Sequence, residues 1–148
     1  MALNFNHFAI NGNARLKGYA QQLDLNNNIP KAGRIMISIL YALRGLIPVW
    51  KTIRLNSQLP MFFKAVYVNG WSKYKMKKIK TMREFINPVR KYDGLTSMND
   101  FGSDVLSKNY IDTTFILLQK YISIGEMKDI KSLLPKELKP NTYNNIIF

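Results

Sequence analysis

A chain of 148 residues without a cysteine is long enough to bury a core unaided, and it excludes disulfides, thiolate catalysis and Cys-ligated zinc. Its hydrophobic content of 47% is that of a globular domain, but 22 Lys/Arg against 9 Asp/Glu set a net charge of +13, which speaks to polyanionic partners rather than to the fold. The charge is uneven: residues 1–91 hold 16 Lys/Arg and only two acids, Asp24 and Glu84, whereas residues 92–148 hold six Lys and seven acids, so the parts carry +14 and −1.

The amino-terminal stretch has no basic region followed by an apolar run, so no secretory signal is expected and the cytoplasm is the default compartment. Phe8, Gly12, Leu16, Tyr19 and Leu23 recur at helical spacing and predict an amphipathic helix over about 5–24. Residues 31–46 read as a strongly apolar helix with Ile35, Ile39, Ala42, Leu43 and Leu46 on one face. The apolar run Ile35 to Trp50 is 16 residues long and broken by Arg44, Gly45 and Pro48, short of the roughly 20 residues a spanning helix needs. Pro48 suits the first turn of a helix over 48–57. Leu59-Pro60 ends it, because the residue before a proline avoids the α region, and a short helix to about Val68 follows.

Gly70 and Trp71 mark a break, with Trp71 read as a plug for the core or as a stacking platform. Met76, Ile79, Met82 and Ile86 then form a narrow apolar stripe flanked by lysines, which predicts a basic connecting helix over about 73–91, ended or kinked by Pro88. Asp93-Gly94 signals a turn inside a linker over 92–99. Ser103 or Asp104 caps a helix over 104–121 that turns Ile111, Phe115, Leu118 and Ile122 inward. Ser123-Ile124-Gly125-Glu126 has the form of a capping box, in which the glutamate side chain reaches back to the cap amide, and starts a helix over 124–133. Pro135 begins a last helix, and the tail 140–148 is expected to be loosely held, with Ile146, Ile147 and Phe148 available to dock.

Two of these segments match each other. At an offset of 75 residues Leu43 pairs with Leu118, Ile47 with Ile122, Leu59 with Leu134, Pro60 with Pro135 and Lys64 with Lys139. Leu40 faces Phe115, Val49 faces Ile124 and Leu55 faces Ile130, so the apolar rhythm is kept as well. The expectation is one all-α compact domain, 1–148, of about seven or eight helices. It is built from two pseudo-repeated units, about 31–71 and about 103–139, joined by the basic helix.

The segment LNSQLPMFFKAVYVNGW, residues 55–71, resembles the signature of the domain of unknown function 2267 family, a bacterial group. The likeness rests on Gln58-Leu59-Pro60, the apolar Met61 to Tyr67 and Gly70-Trp71. It extends to Phe101-Gly102-Ser103-Asp104 and to the stretch from Gly125-Glu126 to Leu134-Pro135. The resemblance implies an all-helical, duplicated fold and no established activity. This chain is more basic than is typical of the family, so a charge-based function lies outside what the resemblance implies.

Catalytic candidates are few. His7 is the single histidine, too little for a multi-His metal site or a histidine-paired nucleophile. Asp100 with Asp104, and Glu126 with Asp129, stand at helix-neighbour spacing that suits a hard cation or a shared proton, but acids at helix starts explain them more simply. Isolated glycines give no phosphate loop. The segment Lys73 to Arg83, with six Lys/Arg in eleven residues, is the strongest functional feature. The expected function is therefore a non-catalytic, cytoplasmic binding protein without metal, cofactor or small-molecule substrate. It would engage nucleic acid, either structured RNA such as the ribosome or DNA, through Lys73, Tyr74, Lys75, Lys77, Lys78, Lys80, Arg83, Arg90 and Lys91. The alternative is an adaptor or assembly subunit that binds an acidic protein. An anionic membrane surface comes third, because the apolar stripe is narrow.

Overall fold

A computed structural model describes residues 4–70 and 78–135. Among the described residues the chain is all-α, with eight helices and no strand. They are α1 (Phe5–Gln22), α2 (Ile29–Arg44), α3 (Val49–Ser57), α4 (Met61–Val68), α5 (Met82–Asp93), α6 (Ser97–Asp100), α7 (Asp104–Gln119) and α8 (Ile124–Lys131), with a 3₁₀ turn at Gly94–Thr96. Caps account for five of the eight starts: Asn4, Asn28, Thr81, Ser103 and Ser123 each accept a hydrogen bond from an amide in the first turn they precede, which satisfies a donor the helix leaves open. Asp24 and Asn26, both in the left-handed region that short polar residues tolerate, turn the chain from α1 into α2.

The core is continuous. Ile35, Ile39, Leu40 and Leu43 of α2 meet Phe85, Ile86 and Val89 of α5 and Ile111, Phe115 and Leu118 of α7, all buried. Helix α1 is held more lightly, with only Tyr19 and Ala20 buried along its length. The Tyr19 hydroxyl donates to Thr114 Oγ1 at 2.7 Å, which in turn donates to the Tyr110 carbonyl at 2.8 Å. Helix α4 lies close to α1 at Gly12, where a Cβ would stand 3.2 Å from that of Phe62. Arg44 is buried at the carboxy end of α4. Its guanidinium donates to the carbonyls of Tyr67 and Asn69 at 3.0 and 2.8 Å and lies over the Tyr41 ring, closing the carboxy end of that helix.

Three expectations need correction. The basic helix expected over about 73–91 starts later than expected among the described residues: Lys78 to Lys80 are irregular and the helix runs from Met82. Ile79 and Met82 both pack against the core, and an irregular approach capped by Thr81 delivers both. Pro88 neither ends nor interrupts α5, which runs on to Asp93. An interior proline costs about 3 kcal/mol, but burying Phe85, Ile86 and Val89 contributes roughly 1.5–3 kcal/mol each, so packing prevails. The stretch 92–99 is not a linker, since it holds the end of α5, the 3₁₀ turn and the start of α6.

Candidate polyanion-binding surface

Of the nine residues expected to meet a polyanion, Lys73, Tyr74, Lys75 and Lys77 lie outside the described residues, as do Trp71, the helix expected after Pro135 and the tail. The other five stand on or beside α5. Lys78 and Lys80 flank the half-buried Ile79 and are themselves exposed. The Lys80 amide donates to Glu84 Oε2 at 3.0 Å, and the Glu84 amide donates to Thr81 Oγ1 at 3.2 Å. This reciprocal cap fixes the backbone that carries both lysines.

Arg83 and Arg90, two turns apart on α5, converge on one carboxylate. Arg83 Nη2 donates to Asp104 Oδ2 at 3.2 Å and Arg90 Nη2 to Asp104 Oδ1 at 2.9 Å, while Arg90 Nε donates to the Phe101 carbonyl at 2.9 Å. The hydrogen bonds from Arg90 and Arg83 hold the Asp104 carboxyl below its ordinary range. Arg90 is thus committed to the α5–α7 junction, whereas Arg83 keeps most of its side chain in solvent. Lys91 is exposed and offset about 100° around the helix from Arg90. Among the described residues the exposed cations of the expected set therefore form the group Lys78–Lys80–Arg83, with Lys91 offset from it around α5.

Beside the first group runs a shallow, open groove of ≈ 370 Å³, lined by Thr81, Met82, Arg83, Asp104, Val105 and Lys108. Lys108 brings a further cation to this wall, paired with Asp112 at 2.9 Å. Sequence reasoning passed over it because it lies 25 residues from Arg83, and only the docking of α7 on α5 joins them. It also passed over Trp50, an exposed ring with the Lys51 ammonium 5.3 Å from its centroid, although adjacent aromatic and basic residues were the available signal.

Ion pairs explain where the uneven charge goes. Arg34 meets Asp100, Lys51 meets Asp129, Arg54 meets Glu126, and Arg83 and Arg90 meet Asp104. Five cations of the first 91 residues thus engage four acids of the remainder. The two carboxylate pairs singled out as cation candidates are divided among these partners: Asp100 faces Arg34, Asp104 faces Arg83 and Arg90, Glu126 faces Arg54 and Asp129 faces Lys51. Among the described residues no three His, Asp or Glu side chains come together as a metal site requires. The capping box at Ser123 is also altered. Its hydroxyl accepts from the Glu126 amide at 3.2 Å, but the cap amide donates to Gln58 Oε1 at 2.7 Å, and the Glu126 carboxylate turns to Arg54.

A second ionisable cluster joins α2 to the α5–α6 corner. Asp100 is fully buried and receives Arg34 in a bidentate pair at 2.8 and 3.0 Å. Burial alone would raise its pKa, but hydrogen bonds from Arg34 and Asp93 hold it below the ordinary value. Asp93 accepts from the Thr96 hydroxyl at 2.9 Å through one oxygen, and its other oxygen is buried without a donor. Burial first, then hydrogen bonding to Asp100, pushes the Asp93 carboxyl up to about 6.

His7 is exposed on α1. No described helix is long and apolar enough to cross a membrane. A family model described as an uncharacterized conserved protein, domain of unknown function 2267, matches residues 13–140. No curated protein matches the chain.

Proposed function

We propose, from the premise that this chain belongs to the domain of unknown function 2267 family and that membership carries no assigned reaction, that it is a non-catalytic cytoplasmic protein that binds nucleic acid. The contact surface is the Lys78–Lys80–Arg83 group and the groove beside it, extended along α5 to the exposed Lys91. One observation carries this reading: the ion pairs between the two parts of the chain engage Asp100, Asp104, Glu126 and Asp129, while Lys78, Lys80 and Lys91 stand exposed with no ion pair among the described residues. The surplus cations suit regularly spaced phosphates, whose neutralisation releases counterions.

Fluorescence anisotropy at low salt, with a labelled RNA hairpin and a DNA duplex, tests this. Binding should weaken as salt rises, and the Lys78→Gln/Lys80→Gln/Lys91→Gln variant should bind less tightly with unchanged helical circular dichroism. Negligible affinity for both nucleic acids, together with tight binding to an acidic polypeptide, would overturn the proposal in favour of an acidic protein partner.

A further inference from the structure

Helices α3 and α8 occupy corresponding places in the two halves of the chain. Adding 75 to Val49–Ser57 reaches 124–132, and α8 is Ile124–Lys131. The two helices run antiparallel, because their contacts climb one as they descend the other. Lys51 Nζ lies 3.6 Å from Asp129 Oδ2, Arg54 Nε lies 3.0 Å from Glu126 Oε1, and Gln58 Oε1 takes the Ser123 amide at 2.7 Å.

The same shift carries Lys51 to Glu126 and Arg54 to Asp129. Lys51 meets the counterpart of Arg54, and Arg54 meets the counterpart of Lys51. This reciprocity defines an isologous interface, in which one patch faces its own copy about a twofold axis. The charges, however, are reversed between the copies. Two first-half units set together in this way would oppose Lys51 to Arg54, and two second-half units would oppose Glu126 to Asp129. We propose that the α3–α8 seam is an internal twofold interface whose reversed charges make each half of the chain the required partner of the other and reject the pairing of like halves. Juxtaposed like charges supply the rejection, and it is strengthened here because the Glu126 side chain is almost wholly removed from solvent.

The one break in the symmetry has a chemical reason. Gln58 corresponds to Leu133, and Ser123, whose amide Gln58 satisfies, corresponds to Pro48. Proline has no amide hydrogen, so the mirrored contact has no donor to satisfy, and an apolar residue stands where the glutamine would be.

Thermal unfolding of the full chain decides the matter with three variants: Lys51→Glu/Arg54→Asp, Glu126→Lys/Asp129→Arg, and all four changes together. Each one-sided variant sets four like charges along the seam and should lower Tm by roughly 5 °C or more, with a smaller loss in about 0.5 M salt, where exposed charges are screened. The fourfold variant restores opposite charges and should recover more than half of that loss, falling short of all of it because a Lys–Asp pair takes the place of the Arg–Glu pair and the two are not interchangeable in reach or geometry. If a one-sided variant does not fold, a folded fourfold variant still supports the interface. A fourfold variant that loses as much as the two one-sided variants combined, or one-sided variants that melt with the parent, would overturn it.

Discussion

Helices α2–α3 and α7–α8 bury the same positions and present opposite charge. Leu40 and Phe115, Leu43 and Leu118, Ile47 and Ile122, Leu55 and Ile130, and Leu59 and Leu134 are corresponding pairs, and all ten residues are buried. Along the seam between α3 and α8, the first segment carries Lys51 and Arg54 and the second Glu126 and Asp129. The comparison separates two requirements. The inward face must stay apolar for the segment to fold at all, whereas the seam needs only that one side be positive and the other negative.

The largest effects should come from the shared apolar face. Leu43→Ala and Leu118→Ala, at residues 1% and 2% exposed, should each cost about 2–5 kcal/mol in denaturant titrations. A loss near that range for one, and well below about 1 kcal/mol for the other, would break the equivalence of the two segments.

Next comes a difference outside the seam, at Asp93. Its carboxyl is raised in the folded chain to about 6, so the folded state holds a proton that the unfolded chain releases near its ordinary value of about 4. The stability this group contributes is therefore full below about pH 4 and lost as pH rises through about 6. Asp93→Asn should stabilise the protein by about 1–3 kcal/mol at pH 8, and the gain should vanish by pH 4 when urea titrations are compared across pH. A gain that does not change with pH would remove Asp93 as its source. Arg34→Gln acts on the neighbouring carboxyl: Asp100 loses the partner that lowers its pKa, so the variant's deficit should shrink as the pH falls and Asp100 becomes neutral.

Smaller effects sharpen the seam itself. Arg54→Ala leaves the buried Glu126 carboxylate without its cation and should cost about 1–3 kcal/mol. Lys51→Ala removes a longer pair whose acid is half exposed, and it should cost less than about 1 kcal/mol.

The elements that were legible in sequence are those set by local chemistry. The inward faces of α2 and α7 follow from the spacing of Ile35, Ile39 and Leu43 and of Ile111, Phe115 and Leu118. Ser103 and Ser123 announced the helices they cap. The surface was less legible, because its partners come from far along the chain. The six cations between Lys73 and Arg83 look uncompensated in sequence, but Asp104 reaches Arg83 only when α7 docks on α5. Glu126 has the spacing of a capping box, yet Gln58, 65 residues away, takes the amide and frees the glutamate for Arg54. Pro88 reads as a helix end until the burial of Phe85, Ile86 and Val89 is counted against its local cost.

In the proposed contact, phosphates meet the positive charge left at Lys78, Lys80 and Lys91 after the second half of the chain has engaged cations of the first. The slope of log binding constant against log salt, for a labelled DNA duplex with the parent chain and with the Lys78→Gln/Lys80→Gln/Lys91→Gln variant, is the measurement that tests this. Each lysine that neutralises a phosphate contributes about 0.9 to the slope on a duplex, so the variant's slope should be smaller in magnitude by about 2–3 if all three take part. Identical slopes for the two proteins, at any affinity, would mean that these lysines do not meet phosphates.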